Sequence, residues 1–146
     1  DRYLGPAALL QAYRWLIERY HFTLKSGCTI EDLQLETQER LERALATYSL
    51  VAWRLLWLTY DARRNPDAPC DEVLAPHEWQ SLYCAIHHVP TPPPVPPTLH
   101  QAVRWIAQLG GFLGRKHDGE PGVKTVWRGL TRLNDISTTY LLLSPT

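Results

Sequence analysis

The stretch Arg14-Trp15-Leu16-Ile17-Glu18-Arg19-Tyr20-His21, running on to Lys25-Ser26-Gly27, carries the period of an α-helix. From Ala7 to Lys25 the apolar residues Leu9, Tyr13, Leu16, Ile17, Tyr20 and Leu24 recur every three or four positions, and Ser26-Gly27 supplies a stop. The polar residues keep a face of their own. At about 100° per residue, Arg14, Glu18, His21 and Lys25 fall within about 60° of arc over three turns, with the centre of the apolar stripe more than about 100° away. One side of this helix is therefore predicted to be buried while an acid held between cations looks outward.

Moving outward, the rest of the chain repeats the helical pattern. From Glu36 to about Arg64 there is no Gly or Pro, and an apolar stripe passes through Leu41, Leu45, Tyr48, Val51, Ala52, Leu55, Leu56 and Leu58. At ~1.5 Å per residue this predicts a helix about 40 Å long. A short connection is predicted between Cys28 and Leu35, and a polar, turn-like one over Asn65 to Val73. Pro76 stands where a first-turn proline belongs and opens a shorter helix through Trp79, Leu82, Tyr83 and Ile86. Thr98 reads as the N-cap of a fourth helix through Val103, Ile106 and Leu109, after which Gly110-Gly111 ends the helix or allows a close backbone approach. A basic loop, Gly114 to Gly122, leads to a last helix, roughly Lys124 to Leu143, with Val126, Leu130, Leu133, Tyr140 and Leu141 on one side. Nothing alternates with period two, so the fold class is mainly α, with about five helices.

Composition sets bounds on function. With 146 residues, 45% hydrophobic content and six Trp, the chain has the material for one domain with a core. The Pro-rich stretch at 90–97 reads as a stiff extended connector inside that domain. Formal charge is zero overall, but 101–133 holds six cations against two carboxylates, a net +4, while 65–100 holds four carboxylates and no Lys or Arg. This asymmetry permits a polyanion on one surface without requiring it. Three cysteines, Cys28, Cys70 and Cys84, are too few and odd for a disulfide framework, which suits a reducing cytoplasm. No signal peptide and no apolar run of membrane length is present, so no membrane partner is expected. The chain has no Met and begins at Asp1 in mid-pattern, as a piece of a longer polypeptide would.

Taken alone, Arg14 and Glu18 at i,i+4 make an ordinary surface ion pair worth about 0.2–0.5 kcal/mol. Their context points elsewhere. The helix resembles the signature helix of transposon-five-like, insertion-sequence-four-type transposases, written Tyr-x-x-Arg-x-x-x-Glu-x-x-x-x-x-x-Lys, with Arg14, Glu18 and Lys25 at the matching spacings. The tyrosine position is Gln11 here, and Tyr13 lies about 100° around the helix from Arg14. Further segments resemble the C-terminal region of the same family in order: Leu41-Glu42-Arg43, then Val51-Ala52-Trp53-Arg54-Leu55-Leu56-Trp57-Leu58, then Ile106-Ala107-Gln108-Leu109-Gly110-Gly111-Phe112 followed by Lys116, and Lys124-Thr125-Val126-Trp127-Arg128-Gly129-Leu130.

The resemblance implies a helical C-terminal part of an RNase H-like DDE transposase, with 1–27 as the last helix of the catalytic core and 28–146 as a dimerisation region. It implies that Glu18 is the catalytic glutamate, which with two aspartates outside this chain binds Mg²⁺ (or Mn²⁺). Hard oxygen ligands suit such ions, and a metal pair stabilises the attacking and leaving oxygens of phosphoryl transfer. One carboxylate alone binds Mg²⁺ weakly, so the isolated chain is expected to be inactive. Arg14 and Lys25 match positions that grip phosphates, the arginine with two parallel hydrogen bonds and the lysine as a point charge. Gln11 shares that face and can hydrogen-bond a phosphate, and His21, Arg115 and Lys116 complete the expected DNA-binding set. The last helix is expected to pair two copies on transposon-end and target DNA, in a bacterial, nucleoid-associated setting.

Two other readings stand beside this one. A truncated transposase that pairs with intact copies would act as a non-catalytic inhibitor module. A zinc site built from Cys70, His77, Cys84, His87 and His88 fits poorly, because the chain has no Cys-x-x-Cys pair, and buried cysteine with surface histidine is the better account.

Overall fold

The computed structural model describes residues 6–27 and 37–144. Five α-helices follow one another: α1 (Pro6–Phe22), α2 (Gln38–Arg64), α3 (Pro76–His87), α4 (Leu99–Leu109) and α5 (Val123–Leu143). A π-helical turn, Thr23–Gly27, extends α1, and a 3₁₀ turn, Cys70–Glu72, precedes α3. Among the described residues there is no strand, only an isolated bridge between Pro69 and Thr98. The 28–35 connection, Cys28 and the start of the second helix at Glu36 lie outside the described residues, as do the side chains of Leu9, Tyr13 and Leu16. The chain forms two compact units, one up to Leu56 and one from Trp57.

In the first unit, α1 begins at Pro6 and runs to Phe22. Thr23, buried at the junction with the π turn, donates its hydroxyl to the Arg19 carbonyl at 2.9 Å. From Thr23 onward the helix widens into the i→i+5 turn that carries Lys25. Ile17, at the edge of the expected apolar stripe, is 57% exposed and not buried. The start of α2 is fixed by Thr37, whose hydroxyl accepts the Arg40 N–H at 3.3 Å. Leu41 and Leu45 are exposed and Tyr48 and Val51 half-buried, so the stripe of α2 becomes core only from Ala52 onward.

The second unit holds a continuous core. Leu58 and Ala62 of α2, Leu74, Trp79 and Leu82 around α3, Leu99, Val103 and Ile106 of α4, and Val126 and Leu133 of α5 are all buried. Helix α5 packs on both α3 and α4. Each short helix is started by local chemistry. Glu78 accepts the Ala75 N–H at 2.9 Å ahead of Pro76, and Thr98 and Gln101 cap each other's N–H groups at 3.2 Å. His88 closes α3 in the left-handed conformation.

The Pro-rich stretch is integrated into this unit. The Cys70 N–H donates to the Pro97 carbonyl (2.9 Å), the Leu99 N–H to Ala68 (2.7 Å) and the His100 N–H to Pro66 (3.2 Å). Each segment donates to the other, but Pro66, Pro69, Pro96 and Pro97 lack an N–H, so the pairing stays a single antiparallel bridge between Pro69 and Thr98 and does not extend into a sheet. Helices α4 and α5 meet through glycine: a Cβ on Gly129 would lie 1.7 Å from the Ile106 carbonyl oxygen, and one on Gly110 2.0 Å from that of Thr125. Arg132 adds a guanidinium hydrogen bond to the Leu109 carbonyl, satisfying an orphan acceptor at the end of α4.

Candidate functional site

Helix α1 places Gln11, Arg14, Glu18 and His21 on its outward side, all exposed. Arg14 Nε donates to Glu18 Oε1 at 3.1 Å, with the two side chains 82% and 63% exposed. At that exposure the pair contributes at most about 0.5 kcal/mol, so the fold gains little from it. Gln11, Arg14, Trp15 and Glu18 line one open pocket.

Trp15 is the residue that the sequence pattern did not single out. It sits one position past Arg14, but it is also i+4 from Gln11, and a long helical side chain leans back over the preceding turn. The ring thus stands beside the glutamine that replaces the signature's tyrosine. Arg19 lies 5.6 Å from the Trp15 ring centroid and 5.8 Å from that of Phe22, a cation shared by two half-exposed aromatic rings. His21 sets its ring edge-on to Tyr20 at 5.7 Å.

Lys25 lies in the π-helical turn and is exposed. A π turn rotates the chain through less than about 100° per residue, so Lys25 trails the line set by Arg14 and Glu18. As a metal ligand, Glu18 has the right donor chemistry, but the described residues hold no group of three or more His, Cys, Asp or Glu side chains that could hold an ion. A carboxylate such as Glu18 can supply one hard oxygen ligand, and the described residues do not complete a metal site around it.

Arg115 and Lys116 are exposed in the loop between α4 and α5, far along the chain from the α1 face and in the second unit. Their side chains make no ion pair among the described residues, and the Arg115 N–H is held by Asp118 Oδ2 at 2.8 Å. Other members of the basic segment are engaged internally: Arg104 pairs with Glu120 at 3.6 Å and Arg132 with the Leu109 carbonyl.

Residues 50–139 match the family described as the Transposase Tn5 dimerisation domain. The chain belongs to this transposase family. The match covers more than half of the chain, starting within α2 and ending four residues short of the end of α5. It therefore takes in nearly all of the second compact unit, and the α1 face lies outside it.

Within this Tn5-type dimerisation domain, α5 changes character along its length. Val126, Gly129, Leu133 and Ser137 are buried, whereas Leu141, Leu142 and Leu143 are 53%, 81% and 79% exposed. The expected stripe thus serves the domain's own core up to Ser137, and Leu141 leaves it. Cys70 is buried, and desolvation, followed by the Asp71 charge, pushes its thiol up to about 12. Cys84 is half-buried and its thiol is raised as well, by burial. Among the described residues no helix is long and apolar enough to cross a membrane.

Proposed function

We propose that the chain is the C-terminal part of a cut-and-paste DNA transposase of the DDE type, joined to an RNase H-like core. Glu18 contributes one carboxylate to a Mg²⁺ (or Mn²⁺) site whose other ligands come from outside the described residues. The metal supplies Lewis-acid stabilisation of phosphoryl transfer when bound. Arg14 and Lys25 grip phosphates near the cleaved strand end, with Gln11 and His21 on the same face. Acting on chromosomal DNA, the protein works in the bacterial cytoplasm, associated with the nucleoid.

The observation that carries this reading is the Arg14–Glu18 pair, solvent-exposed and lining an open pocket with Gln11 and Trp15. An ion pair of so little worth to the fold leaves both groups available for a ligand. Glu18 would hold the ion through its carboxylate, and Arg14, no longer paired with it, would be free to bind a phosphate. Trp15 offers the aromatic surface that Gln11 lacks. Strand cleavage of transposon-end DNA by the complete transposase, compared with its Glu18→Ala variant, tests the assignment.

Pairing of two copies is assigned to the end of α5, where three consecutive leucines are exposed. The Arg115–Lys116 edge is assigned to the DNA backbone, which is contacted by exposed cations without sequence preference. A second reading is supported by the same domain. A chain that dimerises without a complete set of metal ligands would pair with intact transposase and inhibit it. Addition of the isolated chain to active transposase distinguishes them: inhibition in proportion to mixed-dimer formation supports the inhibitor.

A further inference from the structure

Arg104 is the one cation of the basic segment whose side chain gathers the loop around itself. It projects from α4, and its guanidinium lies 5.2 Å from the Phe112 ring centroid at the start of the loop. Its Nη1 lies 3.6 Å from Glu120 Oε1 near the end of the loop. The same Glu120 oxygen is 3.2 Å from Nε2 of His100, which stands one turn before Arg104 on the same face of α4. Both ends of the loop are thus fastened to one helix face, and between them Asp118 closes the turn on the Arg115 N–H. Arg115 and Lys116 are exposed between these fastenings, beside the exposed Leu113 and His117.

We propose that Arg104 and Glu120 are positioning residues that hold the 112–120 loop as a preformed edge for nucleic-acid phosphates. Their charges are used on each other, so Arg104 works through the loop and not on the ligand. Prior fastening matters because a flexible loop must be ordered when it binds, and that entropy is subtracted from affinity. The proposal rests on the reading that Arg115 and Lys116 contact DNA, and it makes a prediction opposite in sign to simple charge counting. Removal of the Glu120 carboxylate makes the surface more positive, which by itself strengthens DNA binding. Loss of positioning weakens it.

The test uses the whole chain with Glu120→Gln, Arg104→Met and the swapped pair Arg104→Glu with Glu120→Arg, each checked by thermal melting for an intact fold. Trypsin cleavage after Arg115 and Lys116, followed by mass spectrometry, reads the loop directly. We expect cleavage there to rise about three- to fivefold in either single variant, in keeping with the worth of a partly exposed ion pair, and to fall back in the swap. Cleavage after Arg63 and Arg64 in α2 stays constant. Binding to a mixed-sequence duplex should weaken in Glu120→Gln. Unchanged loop cleavage, or tighter DNA binding by Glu120→Gln, overturns the proposal. The underlying reading is tested apart from it: if Arg115→Ala with Lys116→Ala binds the duplex as the unaltered chain does, the DNA assignment of the loop fails, whatever the protease shows.

Discussion

A Cβ at Gly129 would fall 1.7 Å from the carbonyl oxygen of Ile106, so α4 and α5 touch backbone to backbone. The obstacle is main chain, which cannot swing aside as a flexible side chain can. Gly129→Ala must therefore push the two helices apart and loosen the Val126, Leu133 and Ile106 contacts that form the core. Overpacking of this kind costs about 1–3 kcal/mol or more, and a fall in Tm of roughly 5–10 °C is expected for a chain of this size. Calorimetry of Gly129→Ala beside Arg128→Ala, an exposed neighbour, checks it, since the latter should melt within about 2 °C of the unaltered chain.

Cys70 gives a pH dependence of known sign. Its thiol titrates at about 12 in the fold against an ordinary 9.0, because burial, and then Asp71, disfavour the thiolate. The folded state thus keeps a proton that the unfolded state releases, and this contribution to stability is complete below pH 9 and lost as pH rises toward 12. The loss approaches about 1.4 kcal/mol per pH unit from this group. Denaturant unfolding between pH 8 and 11 should show a shallower decline in Cys70→Ala than in the unaltered chain. Parallel declines would place the thiol in a less buried setting.

Dimerisation and folding should separate at the end of α5. Leu142 is 81% exposed, so Leu142→Glu leaves the core untouched, yet at a two-fold interface it removes one apolar contact from each copy. Sedimentation equilibrium should show the dimer dissociation constant raised at least about tenfold, with unchanged helicity by circular dichroism. A dimer of full strength in this variant would move the interface elsewhere on the domain.

Arg14 and Lys25 are read as phosphate contacts, and each should contribute to the salt dependence of binding. Replacement of either by Ala should weaken end-DNA binding by the complete transposase and make the slope of log K against log salt shallower by about 0.9. Weakened affinity with an unchanged slope would mean that the side chain acts on protein structure and not on DNA.

Much of the architecture was legible because it is set locally. Pro76, the Thr98 cap with Gln101, and the uninterrupted run of α2 specify their helices within a turn or two of chain. The same holds for Arg14 and Glu18, whose i,i+4 spacing already places them side by side. Features that depend on distant partners were hidden. Nothing in the sequence around Gly129 announces the Ile106 carbonyl, and nothing around Glu120 announces His100 and Arg104, twenty and sixteen residues earlier. The π turn at Thr23 and the exposure of Ile17 likewise break a wheel drawn at constant pitch. The place of Trp15 beside Gln11 follows from their i,i+4 spacing together with the backward lean of a helical side chain, which angular position alone does not express.

Glu18 is proposed as a metal-binding carboxylate of a transposase active site. The most direct test is strand cleavage of transposon-end DNA by the complete transposase with Mg²⁺ or Mn²⁺, against the Glu18→Ala variant at equal DNA occupancy. Cleavage is expected to fall by at least about a hundredfold while end-DNA binding persists, as loss of a group acting on the reaction and not on the ground state requires. Cleavage at the unaltered rate in Glu18→Ala would contradict this role.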